Sequence, residues 1–299
     1  MIYTVTISPA IDYVVHVDHM TAGATNRSTR EEYYFGGKGI NVSLILESLG
    51  IKSKALGFVS GFTGVALEEG LKAQGLKTDF VHLHKGITRI NVKIKSEKET
   101  ELNTQGALPE EHDFDALISK LECLDHNDIL VLSGSVPKVL PEDTYERIIS
   151  LVNKQQVKVV LDTAGIQLIN SLKERPFLVK PNIDELRDLF GDVTPEEGAK
   201  KLQLAGARNV IVSMGGDGAI LLDETGSLHR CGVATGKILN TVGAGDSMVA
   251  GFITGYLQTE NYDYALQLGS AAGSATALSP GLADGETIGR CLREIKGAN

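Results

Sequence analysis

Cysteine is scarce in this chain of 299 residues. Cys123, Cys231 and Cys291 are odd in number, far apart and without a Cys-x-x-Cys pair, which argues against a disulfide framework and a zinc site. Reduced core thiols are the expectation. Also missing are a Gly-x-x-x-x-Gly-Lys-Ser/Thr loop, a complete Gly-x-Gly-x-x-Gly, a His-Glu-x-x-His and a Gly-x-Ser-x-Gly. P-loop enzymes, ordinary dinucleotide binders, zincins and α/β-hydrolases therefore leave the front rank. Positive charge is in the minority, 29 Lys and Arg against 38 Asp and Glu. The net charge of −9 would repel nucleic acid or an anionic membrane over a Debye length of about 8 Å, so neither is an expected partner, although a local cationic pocket remains compatible with it. Met1 to Ile7 carry no basic region and no long apolar run, with Pro9 and Asp12 close behind, so the expectation is a soluble, cytoplasmic protein. Low-complexity tracts and internal repeats are lacking too.

What is present is enough apolar material to bury a large core, 42% hydrophobic against 22% charged residues. The length suits one large α/β domain with an insertion, or two ordinary domains. From about residue 129 short apolar runs alternate with amphipathic stretches: Ile129–Leu132, 142–154, Val157–Leu161, Phe177–Val179, 184–190, 196–205 and Val210–Val212. That alternation predicts a parallel sheet with helices on both faces. Arg89 to Lys95 instead alternate polar and apolar strictly, as a strand with one wet face does, and Tyr13 to Val17 are a weaker strand candidate. Between them, Gly36-Gly37-Lys38-Gly39 precedes an apolar segment at 40–49 compatible with a helix ending at Gly50. A small β layer inserted into the α/β domain is expected, although the alternating strand alone would also fit an ordinary half-exposed edge.

The strongest local signal is Asn240-Thr241-Val242-Gly243-Ala244-Gly245-Asp246-Ser247, followed by Met248, Val249, Phe252, Ile253, Tyr256 and Leu257 at helical spacing. A glycine turn that opens a helix lets backbone N–H groups converge on an anion, aided by the partial positive charge of the helix N-terminus. Asp246 could then take a proton from a hydroxyl attacking a bound phosphate; alternatively, Asp246 or Ser247 merely caps the helix. Ser213-Met214-Gly215-Gly216-Asp217-Gly218 follows an apolar run, where open sheets bind ligands, and Asp217-Gly218 also suits a two-residue hairpin turn. Asn182 and Glu185 after Lys180-Pro181 would share one side of an opening helix and offer oxygens to Mg²⁺, though the same spacing is a capping box. Arg27, Lys38 and Arg89 are cations that could hold a second phosphate only by converging. The close pairs His16/His19 and His82/His84 read as surface residues.

Six segments in order resemble the PfkB, or ribokinase-like, carbohydrate kinase family over essentially the whole chain. They are Thr6 to Asp12, Gly36 to Val42, Thr88 to Lys93, Ser133-Gly134-Ser135-Val136-Pro137, Lys180-Pro181-Asn182 with Glu185, and Val242 to Ser247. Gly36 to Val42 and Thr88 to Lys93 look like the branch that acts on phosphorylated ketohexoses, the 1-phosphofructokinase and tagatose-6-phosphate kinase branch. Asn240 stands where many sugar kinases of the family carry aspartate, a departure familiar in that branch. The resemblance implies one ribokinase-like domain over 1–299, a three-layer α/β/α unit with a mostly parallel sheet and a small β-sheet lid whose strands are inserted at about 10–30 and 88–103.

It further implies an ATP- and Mg²⁺-dependent kinase that phosphorylates fructose 1-phosphate at the 6-hydroxyl, with tagatose-6-phosphate kinase as the nearest rival. A catalytically silent sugar-phosphate sensor is the rival of another class, against which the retained Asp246, Asn182 and Glu185 count. On this resemblance Asp246 is the base, and Gly243, Ala244 and Gly245 form the anion hole. Asp12, Gly37, Lys38 and Asn41 hold the sugar, Arg27, Arg89 and Lys38 its phosphate, with Ser135 beside it. Lys180, Asn182, Ser213, Gly215, Gly218 and Ser274 lie around ATP, with Glu185 toward Mg²⁺ through water. Asn240, Val242 and Ser279 surround a monovalent cation such as K⁺. A homodimer clasped through the lids is also implied.

Overall fold

The computed structural model describes residues 1–297. Runs that are apolar on both faces become the central sheet, because only a strand covered on both sides can bury them. Its order begins with β14 (Leu228–Cys231), β13 (Ala219–Leu222), β12 (Asn209–Ser213), β11 (Leu178–Val179), β10 (Lys158–Asp162) and β9 (Ile129–Ser133). It continues through β1 (Ile2–Thr6), β4 (Ser53–Ser60) and β5 (Lys77–Thr78), with β6 (Val81–Leu83) also pairing β4. All pairings are parallel except β12–β13 and β13–β14. The expected two-residue hairpin at Asp217-Gly218 is instead a five-residue connection, residues 214–218, in which Gly215–Asp217 form a 3₁₀ turn.

Helices cover both faces. The apolar residues of α1 (Lys38–Ser48), α8 (Ala244–Thr259), α9 (Tyr262–Ala277) and α10 (Gly285–Gly297) build one core with Val131, Val160 and Ile211 of the strands. On the other face, α3 (Glu111–Leu121), α4 (Thr144–Asn153), α5 (Gly165–Ser171), α6 (Ile183–Phe190) and α7 (Pro195–Ala205) pack on Leu130, Leu132, Leu161 and Val212. Helix α2 (Gly61–Ala73) closes the β4 edge through Leu67 and Leu71. Alternate strand residues thus feed opposite cores, as the pleat requires. Cys231 and Cys291 are buried, whereas Cys123 is exposed rather than in the core. Among the described residues no helix is long and apolar enough to cross a membrane.

A separate four-stranded sheet has the order β3 (Arg30–Gly36), β2 (Ala10–His16), β7 (Arg89–Lys95) and β8 (Thr100–Asn103). Strand β2 pairs antiparallel with β3 and parallel with β7. Its two faces differ in chemistry. Ile11, Tyr13 and Val15 align with Ile90, Val92 and Ile94 on one face, while Asp12 aligns with Asn91 and Val14 with Lys93 on the other.

Candidate active site

In the central sheet, β1 lies between β4 on one side and β9 on the other, so the strand order reverses at β1. Such a switch point opens a crevice at the carboxyl ends of the strands. Into it the chain sends α1. Gly37, the residue before that helix, has φ +129°, and a Cβ there would stand 2.5 Å from Thr6 Cγ2 at the end of β1, so no side chain fits. Thr6 Oγ1 accepts a hydrogen bond from the Ile40 amide at 3.0 Å and fixes the first turn of α1. That turn presents Lys38 and Asn41.

Helix α8 enters the same crevice. Gly243 precedes it in the left-handed region, φ +82°, where a Cβ would also meet Leu282 Cδ2 at 2.6 Å. Ser247 N–H donates to the Gly243 carbonyl at 2.8 Å and Ala244 N–H to the Thr241 carbonyl at 3.3 Å, while the Gly245 and Asp246 N–H groups lie outside the helical ladder at the positive end of the helix. Asp246 sits in this turn and is 5% exposed. Its Oδ2 accepts from Asn41 Nδ2 at 2.8 Å, which ties α8 to α1 across 205 residues of sequence.

A second buried carboxylate stands close by. Asp162 ends β10; its Oδ1 is 3.3 Å from Lys180 Nζ and its Oδ2 is 3.9 Å from Lys38 Nζ. Oδ2 is buried without a hydrogen-bond partner. Burial, and then the negative charge of Asp162, push the Asp246 carboxyl from 3.8 up to about 6, against the pull of the Asn41 amide and the Lys38 and Lys180 ammonium groups. Burial of Lys180 opposes its charge, but Asp162, Asp246 and Glu185 outweigh that and raise its pKa. The site therefore keeps two acids and the Lys180 cation in little water, where fixed charges act most strongly, while Lys38 reaches it from an exposed position. Asp162 was not among the residues singled out from the sequence. Its signal was a carboxylate closing the apolar run Val157–Leu161 at the carboxyl end of a parallel strand.

Around this centre the remaining candidates divide. Asn182 caps α6: its Oδ1 accepts from Glu185 N–H and Glu185 Oε2 accepts from Asn182 N–H, both at 2.8 Å, a complete capping box that leaves Glu185 Oε1 outside the pair. Asn182 also bridges to Ser213 at the end of β12, which leads to Gly215 and Gly218. Ser274 on α9 is buried, with its hydroxyl accepting from the Ala234 amide at 3.2 Å. Asn240 Nδ2 donates to the Pro280 carbonyl at 3.2 Å and its Oδ1 accepts from Val242 N–H at 3.0 Å, while Ser279 Oγ donates to the Ala275 carbonyl. These side chains are thus engaged within the protein.

On the polar face of the small sheet, Asp12 accepts from Asn91 Nδ2 at 2.8 Å and lies 3.6 Å from Lys93 Nζ. A Cβ on Gly36, just before the α1 turn, would be 3.5 Å from Asp12 Oδ2, so this carboxylate borders the crevice. Arg89 begins β7 and has a buried Nε without a partner. Ser135 is exposed beyond the end of β9. Arg27 is exposed in the loop joining β2 to β3 and, among the described residues, makes no ion pair or side-chain hydrogen bond with the cluster.

Residues 1–288 match the model of the pfkB family carbohydrate kinase. The chain is similar to a 1-phosphofructokinase of Bacillus subtilis (strain 168), 46% identical over 99% of each chain. It is similar also to a tagatose-6-phosphate kinase of Staphylococcus epidermidis (strain ATCC 12228 / FDA PCI 1200), 32% identical over 93% of this chain and 92% of the other. Among solved structures, phosphofructokinase-2 from Escherichia coli in complex with potassium superposes with a TM-score of 0.91 over 99% of each chain at 28% identity.

Proposed function

The chain belongs to the pfkB family of carbohydrate kinases, and from that membership we propose that it transfers the γ-phosphoryl group of ATP to the 6-hydroxyl of fructose 1-phosphate, giving fructose 1,6-bisphosphate and ADP. The observation that carries this reading is Asp246, a carboxylate held by Asn41 in the turn where α8 opens, with its pKa lifted to about 6. A base of that strength is ionised at neutral pH yet strong enough to take a hydroxyl proton. The 6-hydroxyl loses its proton to Asp246 as its oxygen bonds to the γ-phosphorus and the bond from that phosphorus to the β–γ bridging oxygen breaks. N–H groups of the Gly243-Ala244-Gly245 turn receive the charge on the phosphoryl oxygens, and Lys38 and Lys180 add positive potential. The ordering of fructose 1-phosphate before tagatose 6-phosphate rests on the greater similarity to the 1-phosphofructokinase relative.

Magnesium fits the donor chemistry: Asp162 Oδ2 is a buried oxygen without a hydrogen-bond partner, and Glu185 Oε1 lies outside the capping box. Bound with ATP, the ion would neutralise phosphate charge, with Asn182, Ser213, Gly215, Gly218 and Ser274 along the nucleotide. A monovalent cation near Asn240, Val242 and Ser279 would draw on backbone carbonyls together with the lone pairs left on Asn240 Oδ1, which accepts from Val242 N–H, and on Ser279 Oγ, which donates to the Ala275 carbonyl. The small sheet acts as a lid whose polar face holds the sugar through Asp12, with Arg89, Lys38 and Arg27 for its phosphate. Closing it would keep water from the γ-phosphoryl group.

The outer face of the lid exposes Tyr33 at 65% and Leu102 at 57%, beside Tyr13 and Val92. A second copy covering that face makes a homodimer the natural assembly. Reduced cysteines and use of ATP suit a cytoplasmic setting. The test is ADP release with Mg-ATP and equal concentrations of fructose 1-phosphate, tagatose 6-phosphate or fructose 6-phosphate. Preference for the first supports the assignment; preference for the second keeps the chemistry and moves the substrate; turnover of none favours the sensor.

A further inference from the structure

Two hydroxyls lie fully buried between α8 and α9, one on each helix. Ser247 and Thr276 are both 0% exposed, and their oxygens are 2.8 Å apart. Their hydrogen bonds can run in only one direction. The Gly243 carbonyl can only accept and lies 2.8 Å from Ser247 Oγ, so the single hydroxyl hydrogen of Ser247 goes to it. The Ala283 amide can only donate and lies 3.2 Å from Thr276 Oγ1. Thr276 therefore gives its own hydrogen to Ser247 Oγ. A chain thus runs from Ala283 N–H through Thr276 and Ser247 to the Gly243 carbonyl, each bond polarising the next. That carbonyl also accepts the Ser247 N–H at 2.8 Å, so both of its lone pairs are occupied. A serine bonded to the carbonyl four residues back is common within helices. A buried threonine that feeds it from the neighbouring helix is a second anchor on the same peptide.

The peptide held in this way leads into the first turn of α8. The plane of Gly243 and Ala244 sets where the Gly245 and Asp246 N–H groups point and where the Asp246 side chain leaves the helix. We propose that Thr276 is a positioning residue for this turn: acting through Ser247, it fixes the Gly243–Ala244 peptide so that those N–H groups and the Asp246 carboxylate keep one arrangement while the phosphoryl group is transferred. Thr276 itself touches no substrate. Its contribution is to the transition state, in which charge on the phosphoryl oxygens and the proton in flight both depend on that arrangement, and not to capture of the sugar phosphate. This rests on the phosphoryl-transfer reading of the turn.

Steady-state kinetics of Thr276→Val, Thr276→Ser, Ser247→Ala and the Thr276→Val/Ser247→Ala double variant test it, each assayed on folded protein well below its own melting temperature. In Thr276→Val the expected result is a fall in kcat of about tenfold with the KM for fructose 1-phosphate within about twofold of wild type. Thr276→Ser keeps the hydroxyl and should recover most of the loss. Because the chain acts only when whole, the double variant should be no slower than the slower single variant. Should Thr276→Val fail to fold, Thr276→Ala takes its place. A merely structural role would lower the melting temperature and leave kcat of the folded enzyme within about twofold. That outcome, a Thr276→Ser enzyme as slow as Thr276→Val, or losses that multiply in the double variant would overturn the assignment and leave the kinase reading intact. Wild-type protein that turns over none of the ketohexose phosphates overturns both.

Discussion

Asp246 holds its charge in a place that resists it, and this has two measurable consequences of opposite sign. Because its pKa is raised from 3.8 to about 6 in the folded protein, the folded state binds the proton more tightly than the unfolded chain. The associated stability is present at low pH and lost as pH rises through about 6. Asp246→Asn keeps the acceptor for the Asn41 amide and removes the charge. It should therefore melt higher than wild type at about pH 8, by on the order of 2 kcal/mol, and show little difference near pH 4. The same variant should lose roughly 10²- to 10⁴-fold in kcat while still binding sugar phosphate, checked by ADP release and by calorimetry. In the wild type, kcat/KM should fall about tenfold per pH unit below about pH 6 as the base becomes protonated. Turnover that survives in Asp246→Asn would remove the residue from the role given to it.

At the scale of single elements, α6 shows how one motif can hold two readings. Asn182 and Glu185 form a capping box, as their spacing allowed, and the helix start depends on it. Asn182→Ala should cost about 1 kcal/mol in thermal denaturation. Glu185→Gln separates the two roles, since glutamine also completes a capping box but brings no charge for magnesium. The expected outcome is an unchanged melting temperature with the KM for Mg-ATP raised about tenfold; unchanged nucleotide kinetics would leave Glu185 as a cap alone. Helix α8 works differently. Its opening turn requires the left-handed Gly243, so on the role proposed for that turn Gly243→Ala should reduce kcat more than it reduces sugar-phosphate affinity.

For the whole molecule, the decisive feature is a sheet with two unlike faces. The apolar face of the small sheet packs the partly buried Ile11 and Phe35 beside α2 but leaves Tyr13, Tyr33 and Leu102 exposed, whereas the opposite face carries Asp12, Asn91 and Lys93. Leu102→Asp combined with Tyr33→Asp, both on the apolar face, should convert a dimer to a monomer in light scattering, with the charges opposing burial of that face. A wild-type monomer at micromolar concentration would dismiss the clasped lids.

By itself the sequence determined the α/β alternation, the alternating strand at 89–95 and the glycine turn before α8, because each is a local periodicity or a local conformational demand. It did not determine which face of that strand is wet, since the polar face buries Asn91 while the apolar face of the sheet leaves Tyr33 and Leu102 exposed. Helix ends were legible to within a residue or two where the run 184–190 is α6 at Ile183–Phe190 and the apolar segment 40–49 is α1 at Lys38–Ser48, whereas the strand candidate Tyr13 to Val17 is β2 at Ala10–His16, three residues longer at its start. Only the tertiary structure decided that Asn41 meets Asp246, that Asp162 stands between Lys38 and Lys180, and that Asn91 and Lys93 converge on Asp12. Those partners are separated by as many as 205 residues, and no local pattern records a contact that the strand order alone creates. Asp162 shows the physical reason plainly: along the chain it is one acid after an apolar run, and it becomes part of a charged centre only because β10 ends beside β9, near the reversal of strand order at β1.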